Sequence, residues 1–362
     1  LSRISTNRLS KRWQRHVRAR RQLCREHPLR YLYLELTRRC NFRCAYCGSD
    51  CSITHVSPEL SGEQWKRALH HIAGDFDPAS VMIAVTGGEP LLHPEVFEIF
   101  GCLRELRFPF GMVSNGSLID AETARRVVRS GIGSISISLD APPELNDQLR
   151  GRGSAAKAEK AIQNLKEQGY RGVLEVISTI TRPVVSVLDE LRRYIARIRV
   201  ARWRVAPVMP VGRAASRPDL LLDGEQLRTL LDFTRAARKD GYRPVPEMSE
   251  EGFLGDEYEG EVRPYLCRCD AGITIGGIMC DGRIGACPEL SDAFIQGHIL
   301  KDRFRDVWND RYQDLRDRSW TKKDACATCA AYEVCAGGSM HLYRDTHSSI
   351  ARCLHLMLET RR

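Results

Sequence analysis

Apolar positions along this chain fall into short strand-like runs that alternate with longer stretches of helical period. In Tyr31-Leu-Tyr-Leu-Glu-Leu36 every second residue is leucine, the mark of a strand with one buried face. Val81-Met-Ile-Ala-Val85 is a continuous apolar run, Phe110 to Val113 a third strand, and Ser134-Ile-Ser-Ile-Ser-Leu139 alternates again. Val173 to Ile180 and Trp203 to Val208 bring the predicted strands to six. Between them lie predicted helices over 61–73, 94–106, 121–129, 155–168 and 187–198, the first opened by the capping-box spacing Ser61-Gly-Glu-Gln64. Such alternation predicts an α/β fold: a parallel sheet with right-handed crossovers and helices outside. Six units are too few for a closed eight-stranded barrel, and the pattern alone leaves a partial barrel and a doubly wound sheet both open. In either, functional loops lie at the carboxyl ends of the strands.

A further helix is predicted at Gly224 to Lys239, followed by a polar stretch, Asp240 to Arg263, rich in Gly, Pro and Glu. From Cys267 onward cysteines become dense. The expected organisation is a basic arm (1–30), a core (31–240), a bridging segment (241–265) and a cysteine-rich domain (266–362).

Composition sharpens this. With 362 residues and 43% hydrophobic content the chain has ample core for one large domain and a smaller one. No apolar run approaches membrane-spanning length, and the N-terminus lacks the apolar core of a secretory signal. The expected location is therefore cytoplasmic, with no membrane span. There, 14 cysteines are better read as ligands than as disulfides. Cys102 reads as a small buried hydrophobe, and Cys24 has no assigned role. The net charge of +9 sits in residues 1–25, from Arg3 and Arg8 through Lys11 and Arg12 to Arg25, leaving 46 basic and 46 acidic residues to balance elsewhere. A basic arm suits nucleic acid, an anionic surface or an acidic peptide; the plainer reading is a solvated helix packed on the outside of the barrel.

The chemistry starts directly after the first strand. In Thr37-Arg-Arg-Cys40-Asn-Phe-Arg-Cys44-Ala-Tyr-Cys47 three cysteines, spaced by three residues and then two, gather thiolates at a strand end. A [4Fe-4S] cluster normally takes four thiolates, so three leave one iron open to a non-protein ligand. Zinc also takes thiolates but usually wants a fourth Cys or His. Cys51 is at hand for that role and is read here as a bystander. At the next strand end stands Thr86-Gly-Gly-Glu89-Pro90. Gly87 and Gly88 allow close backbone approach to a ligand, and Glu89 accepts a hydrogen bond from a ligand ammonium.

Together these motifs resemble those of the radical S-adenosylmethionine (SAM) enzymes. The resemblance implies a partial (β/α)6 barrel, a [4Fe-4S] cluster on Cys40, Cys44 and Cys47, and SAM chelating its open iron. It also implies a reductant such as ferredoxin or flavodoxin, whose electron cleaves SAM to a 5′-deoxyadenosyl radical. On the same basis Tyr46 packs against the adenine, the Gly87-Gly88-Glu89 segment binds the methionyl amino group, and Ser138 and Arg150 meet the cofactor carboxylate or ribose. Asn115 and Asp140 would belong to the same wall, although turn chemistry explains both equally well. Gly212-Arg213 after the sixth strand is a similar case.

The last third resembles a SPASM domain. Cys269, twelve residues, Gly282, four residues and Cys287 satisfy its first block; Cys326, Cys329 and Cys335 satisfy most of the second, and Cys353 supplies the last cysteine. The resemblance implies an auxiliary [4Fe-4S] cluster on Cys326, Cys329, Cys335 and Cys353. Cys269 and Cys287 would belong to a further cluster, but where the pattern expects its cysteine four positions after Cys335 this chain has Ser339. Cys267 and Cys280 are available as substitutes. Sulfatase maturases carry an aspartate right after the cysteine matching Cys287, whereas Pro288 and Glu289 follow here, which disfavours that activity. Glu251-Gly-Phe-Leu-Gly and Phe294-Ile-Gln-Gly resemble a subgroup of such proteins from anaerobes.

The expected function is hydrogen abstraction from a peptide or protein substrate, the tail cluster relaying electrons, with a crosslink, an oxidised residue or an epimer as product. About 30 residues precede the first strand, so substrate recognition is expected from the arm, the bridge or a separate partner. RNA modification is a rival supported only by the arm, making nucleic acid the less favoured partner. A non-catalytic electron carrier or regulatory Fe-S protein is a second rival, which Gly87-Gly88-Glu89-Pro90 opposes.

Overall fold

The structure is a computed structural model describing residues 10–55, 58–241, 243–250 and 252–359. Six parallel strands form its frame: β1 (Tyr31–Glu35), β2 (Met82–Thr86), β3 (Phe110–Ser114), β4 (Ser134–Ser138), β5 (Val173–Ile180) and β6 (Arg202–Pro207). All fall within a residue of the predicted bounds. After a leading helix α1 (Lys11–Glu26), the crossovers carry α2 (Gly62–Asp75), α3 (Val96–Glu105), α4 (Ala121–Arg129), α5 (Pro143–Arg150), α6 (Ser154–Glu167), α7 (Arg182–Val185) and α8 (Leu188–Ile198), with α9 (Gly224–Lys239) after β6. The capping box predicted at Ser61 is formed with Gln64. Leu32, Leu34, Ile83, Val85, Ile135 and Val176 are sealed between sheet and helices. Burial of each such side chain is worth about 1.5–3 kcal/mol.

Two differences from the expected layout matter for the site. First, α5 occupies a stretch for which no helix was predicted, although Pro143 at its start and Glu144 in its first turn are ordinary helix-opening signals. Second, the sheet does not stop at six strands. The bridge adds β7 (Pro246–Met248), parallel to β6, and the tail adds β8 (Ile275–Ile278), β9 (Arg283–Gly285) and β10 (Gly297–His298), in the order β10-β9-β8-β1-β2-β3-β4-β5-β6-β7. In register, Leu34 has Val85 on one side and Ile278 on the other. The bridge is thus partly sheet, and the tail is a continuation of the barrel wall.

The tail helices α10 (Phe304–Asp310), α11 (Gln313–Arg316), α12 (Tyr332–Cys335) and α13 (Leu354–Glu359) complete the described elements. Phe304 and Trp308 join the main core, Phe304 meeting Phe76 at 6.0 Å between ring centroids. Helix α1 packs on bridge and tail and not on the barrel's outside: Trp13 is buried with Phe253, Cys267 and Val334. Arg12 donates to the Glu259 carbonyl at 2.5 Å, and Arg21 pairs with Glu333 at 3.3 Å. Part of the arm's charge is therefore used internally; Arg3 and Arg8 lie outside the described residues. No helix among the described residues is long and apolar enough to cross a membrane.

Candidate active site

Every strand of the six-stranded frame ends its carboxyl side toward one place, and the loop after β1 occupies it. Cys40, Cys44 and Cys51 are buried there with Phe42, and Cys47 lies against them. Two neighbouring loops hold this one in shape. Gly88 N–H donates to Thr37 O at 2.7 Å and Glu89 N–H to Arg39 O at 2.9 Å, so the Gly87-Gly88-Glu89 backbone lies along the cluster loop. Gly87 has φ +146°, and a methyl group on it would collide with Thr37 O; one on Gly88 would collide with Arg39 O. The close approach that these glycines allow is thus to the neighbouring loop. From the other side Arg213 donates to the carbonyls of Cys44 at 2.8 Å and Cys51 at 2.9 Å and pairs with Asp50 at 2.7 Å. Gly212, at φ +53°, leaves the room this needs.

Glu89 is completely buried. Its carboxylate accepts from the Ser114 hydroxyl at 2.9 Å, Asn115 N–H at 2.8 Å and Leu91 N–H at 3.3 Å. The Ser114 hydroxyl also lies 3.0 Å from the second oxygen, so three donors engage a carboxylate that has room for about four. Burial raises its pKa to about 7, against the pull of those donors. Asn115 points its amide at Asn41 Oδ1, 2.9 Å away, and at the sulfur of Cys40, 3.8 Å away.

Asp140 is the hub of the opposite wall. It accepts from the Tyr46 hydroxyl, from Arg150 at 2.6 Å and from Thr179 N–H at 2.7 Å, itself only 1% exposed. Of the residues expected at the cofactor, Asp140 is thus committed to holding Tyr46 and Arg150. Tyr46, Ser138 and Arg150 all line a cavity of about 280 Å³ together with Cys44 and Cys47. Met209, Glu250 and His341, which the sequence pattern gave no reason to single out, also line it, as does Glu289, which the sequence offered only as a departure from the maturase aspartate.

The donor set in the loop suits an iron-sulfur cluster. Burial pushes the Cys40 thiol up to about 11 and raises Cys44, while Arg150 and Arg213 beside Cys44 favour its thiolate. Burial alone favours the neutral thiols, so the fit rests on three sulfurs gathered in one loop, with Arg150, Arg213 and the Asn115 amide at hand to steady thiolates once iron is bound. Cys51 is buried beside Cys47, and a hydrogen bond from its thiol brings the Cys47 pKa down to about 6. Among the described residues no three His, Cys, Asp or Glu side chains converge tightly enough to hold a single metal ion.

In the tail, Cys326, Cys329, Cys335 and Cys353 line one cavity, with Met209 and Glu250 in the wall it shares with the cavity above. Burial pushes the Cys326 thiol up to about 11 and Cys335 to about 12. Cys269 and Cys287 come near enough to feel each other's charge. Of the two suggested substitutes, Cys267 is buried with Trp13, Phe253 and Val334 beside Cys335 and hydrogen-bonds Glu259, and Cys280 hydrogen-bonds Glu35. Ser339 is buried and donates to Glu250 at 2.5 Å.

Fold and site therefore define a radical SAM protein with an iron-sulfur tail. The family model described as the radical SAM superfamily matches residues 34–203, and that of the SPASM iron-sulfur cluster-binding domain matches 269–330. The mycofactocin maturase MftC of Mycobacterium tuberculosis is 31% identical over 322 residues, covering 84% of this chain and 77% of the relative. The chain belongs to the radical SAM superfamily and is an enzyme that uses a [4Fe-4S] cluster with SAM and at least one auxiliary iron-sulfur cluster. The AdoMet-dependent heme synthase of Oleidesulfovibrio alaskensis is 24% identical over 324 residues, covering 85% of this chain and 82% of the relative. Streptococcus suis SuiB, solved bound to its precursor peptide SuiA, shares the fold at a TM-score of 0.71 and 20% identity, over 94% of this chain and 79% of that one.

Proposed function

We propose that this enzyme modifies a peptide or protein by abstracting a hydrogen atom from it. Cys40, Cys44 and Cys47 hold the catalytic cluster, whose role is to supply the 5′-deoxyadenosyl radical from SAM. Glu89 takes the methionyl ammonium at its remaining acceptor position, and Ser138 and Arg150 face the cofactor from the opposite wall. Tyr46 and Asp140 fix the shape of that wall. Cys326, Cys329, Cys335 and Cys353 hold the auxiliary cluster, and a low-potential donor of the ferredoxin or flavodoxin class supplies electrons in the cytoplasm.

The observation that carries this reading is the shared wall: Met209 and Glu250 line both the cavity beside the cluster loop and the tail cradle. A substrate in that cavity lies next to the place where a hydrogen atom leaves and next to a place that takes an electron. The peptide class is supported by the MftC relative, which is more similar than the heme synthases. The test is to offer the reconstituted enzyme, with SAM and dithionite, the short peptides encoded beside its gene, and iron-coproporphyrin separately. The expected result is a mass change in a peptide, with deuterium passing from labelled peptide into 5′-deoxyadenosine. Turnover of the porphyrin and of no peptide would overturn the reading.

A further inference from the structure

We propose that Ser339, Glu250 and His341 form a proton-accepting link between the reaction cavity and the tail cradle, standing where the SPASM pattern calls for another cluster ligand. The inference rests on the reading above, in which a substrate radical must be converted to a closed-shell product.

Three observations carry it. Ser339 lines the tail cradle, His341 lines the reaction cavity, and Glu250 lines both. The three converge on one atom: Ser339 Oγ donates to Glu250 Oε1 at 2.5 Å, and His341 Nε2 stands 3.8 Å from the same oxygen, within ion-pair reach though beyond a direct hydrogen bond. Glu250 is 8% exposed, so its carboxylate opens to the cavities and scarcely to bulk water. Around it stand Arg263, which donates to the Glu250 carbonyl, Cys287, which feels its charge, and Glu289 at the cavity wall. The donor set does not fit a second auxiliary cluster. A serine hydroxyl committed to a carboxylate replaces a thiolate, the Cys267 thiol hydrogen-bonds Glu259, and the Cys280 thiol hydrogen-bonds Glu35.

The arrangement has a clear use. After hydrogen abstraction the substrate holds a carbon radical. When that carbon lies beside an N–H, O–H or C–H bond, loss of one electron and that proton leaves a double bond. An oxidised auxiliary cluster held by Cys326, Cys329, Cys335 and Cys353 would supply the one-electron acceptor, and the His341–Glu250 pair takes the proton on the cavity side of the same wall. Transfer of both across one short wall keeps charge from accumulating in a site of low dielectric.

The test needs no substrate. After anaerobic reconstitution the chain should hold about eight irons, as expected for two [4Fe-4S] clusters. The auxiliary-cluster signal, identified by its insensitivity to added SAM, is then followed in an EPR redox titration from about pH 6 to 9. If reduction draws a proton onto the link, the potential falls by up to about 59 mV per pH unit, a tenfold change for one electron. Glu250→Gln and His341→Gln, both close in shape to the native residues, should keep the iron count and lose the slope. About twelve irons, a wild-type potential indifferent to pH, or an unchanged slope in both variants would each overturn the proposal. Because no peptide is present, failure here leaves the peptide reading standing, and an unmodified peptide leaves this result standing.

Discussion

Glu89 shows how far a residue type alone carries. Its place in Gly-Gly-Glu-Pro was legible because spacing after the cysteine motif is a linear property. Two of its three donors were not, because Ser114 and Asn115 reach it across the sheet. Its pKa, raised from 4.5 to about 7 by burial, makes a prediction. The fold favours the protonated acid, so without cofactor this group's stabilisation is full below about pH 4.5 and is lost as pH rises through 7, by at most about 3 kcal/mol. A ligand ammonium reverses the preference, so SAM affinity should rise through the same window. Urea midpoints and equilibrium dialysis across pH read both effects, and Glu89→Gln should flatten them; two flat wild-type profiles would contradict the assignment. Asp140 is the reverse case. Its sequence context looked like turn chemistry, yet it organises Tyr46 and Arg150. Asp140→Ala should cost about 3–5 kcal/mol in denaturant unfolding, because it strands a buried guanidinium.

At the level of elements, the strands were legible because apolar alternation and strand ends are local. Helix α5 was not, since its eight residues are too few to show a period. Nor did any local signal reveal that Gly87 and Gly212 serve loop-against-loop packing. This gives a contrast to measure. Gly87→Ala should lower stability by about 1–3 kcal/mol or more, through strain at positive φ and the clash with Thr37 O. Gly74→Ala, in α2 with open space around it, should be neutral or stabilising by about 0.5–1 kcal/mol. Thermal unfolding of the two variants side by side separates them. Equal effects would mean that the braces on the cluster loop contribute little.

For the whole molecule, the cysteine-rich tail adds its strands to the core in one continuous sheet, which spacing of cysteines does not announce. Cysteine spacing marks ligand pockets but says nothing about β8 pairing with β1, a contact made across some 240 residues of chain. Tail and barrel share one core, so calorimetry should show them unfolding together. Trp308→Ala, at a cost of about 3–5 kcal/mol, should lower that single transition and not split off a tail transition. The shared wall of Met209 and Glu250 depends on this union. The most direct test of the account is the yield of 5′-deoxyadenosine from SAM under dithionite in the reconstituted chain. The wild type should form it, Cys51→Ala should still form it, and Cys40→Ala, Cys44→Ala and Cys47→Ala should not. A wild type that releases none, or cysteine variants that release as much as it does, would contradict the central claim.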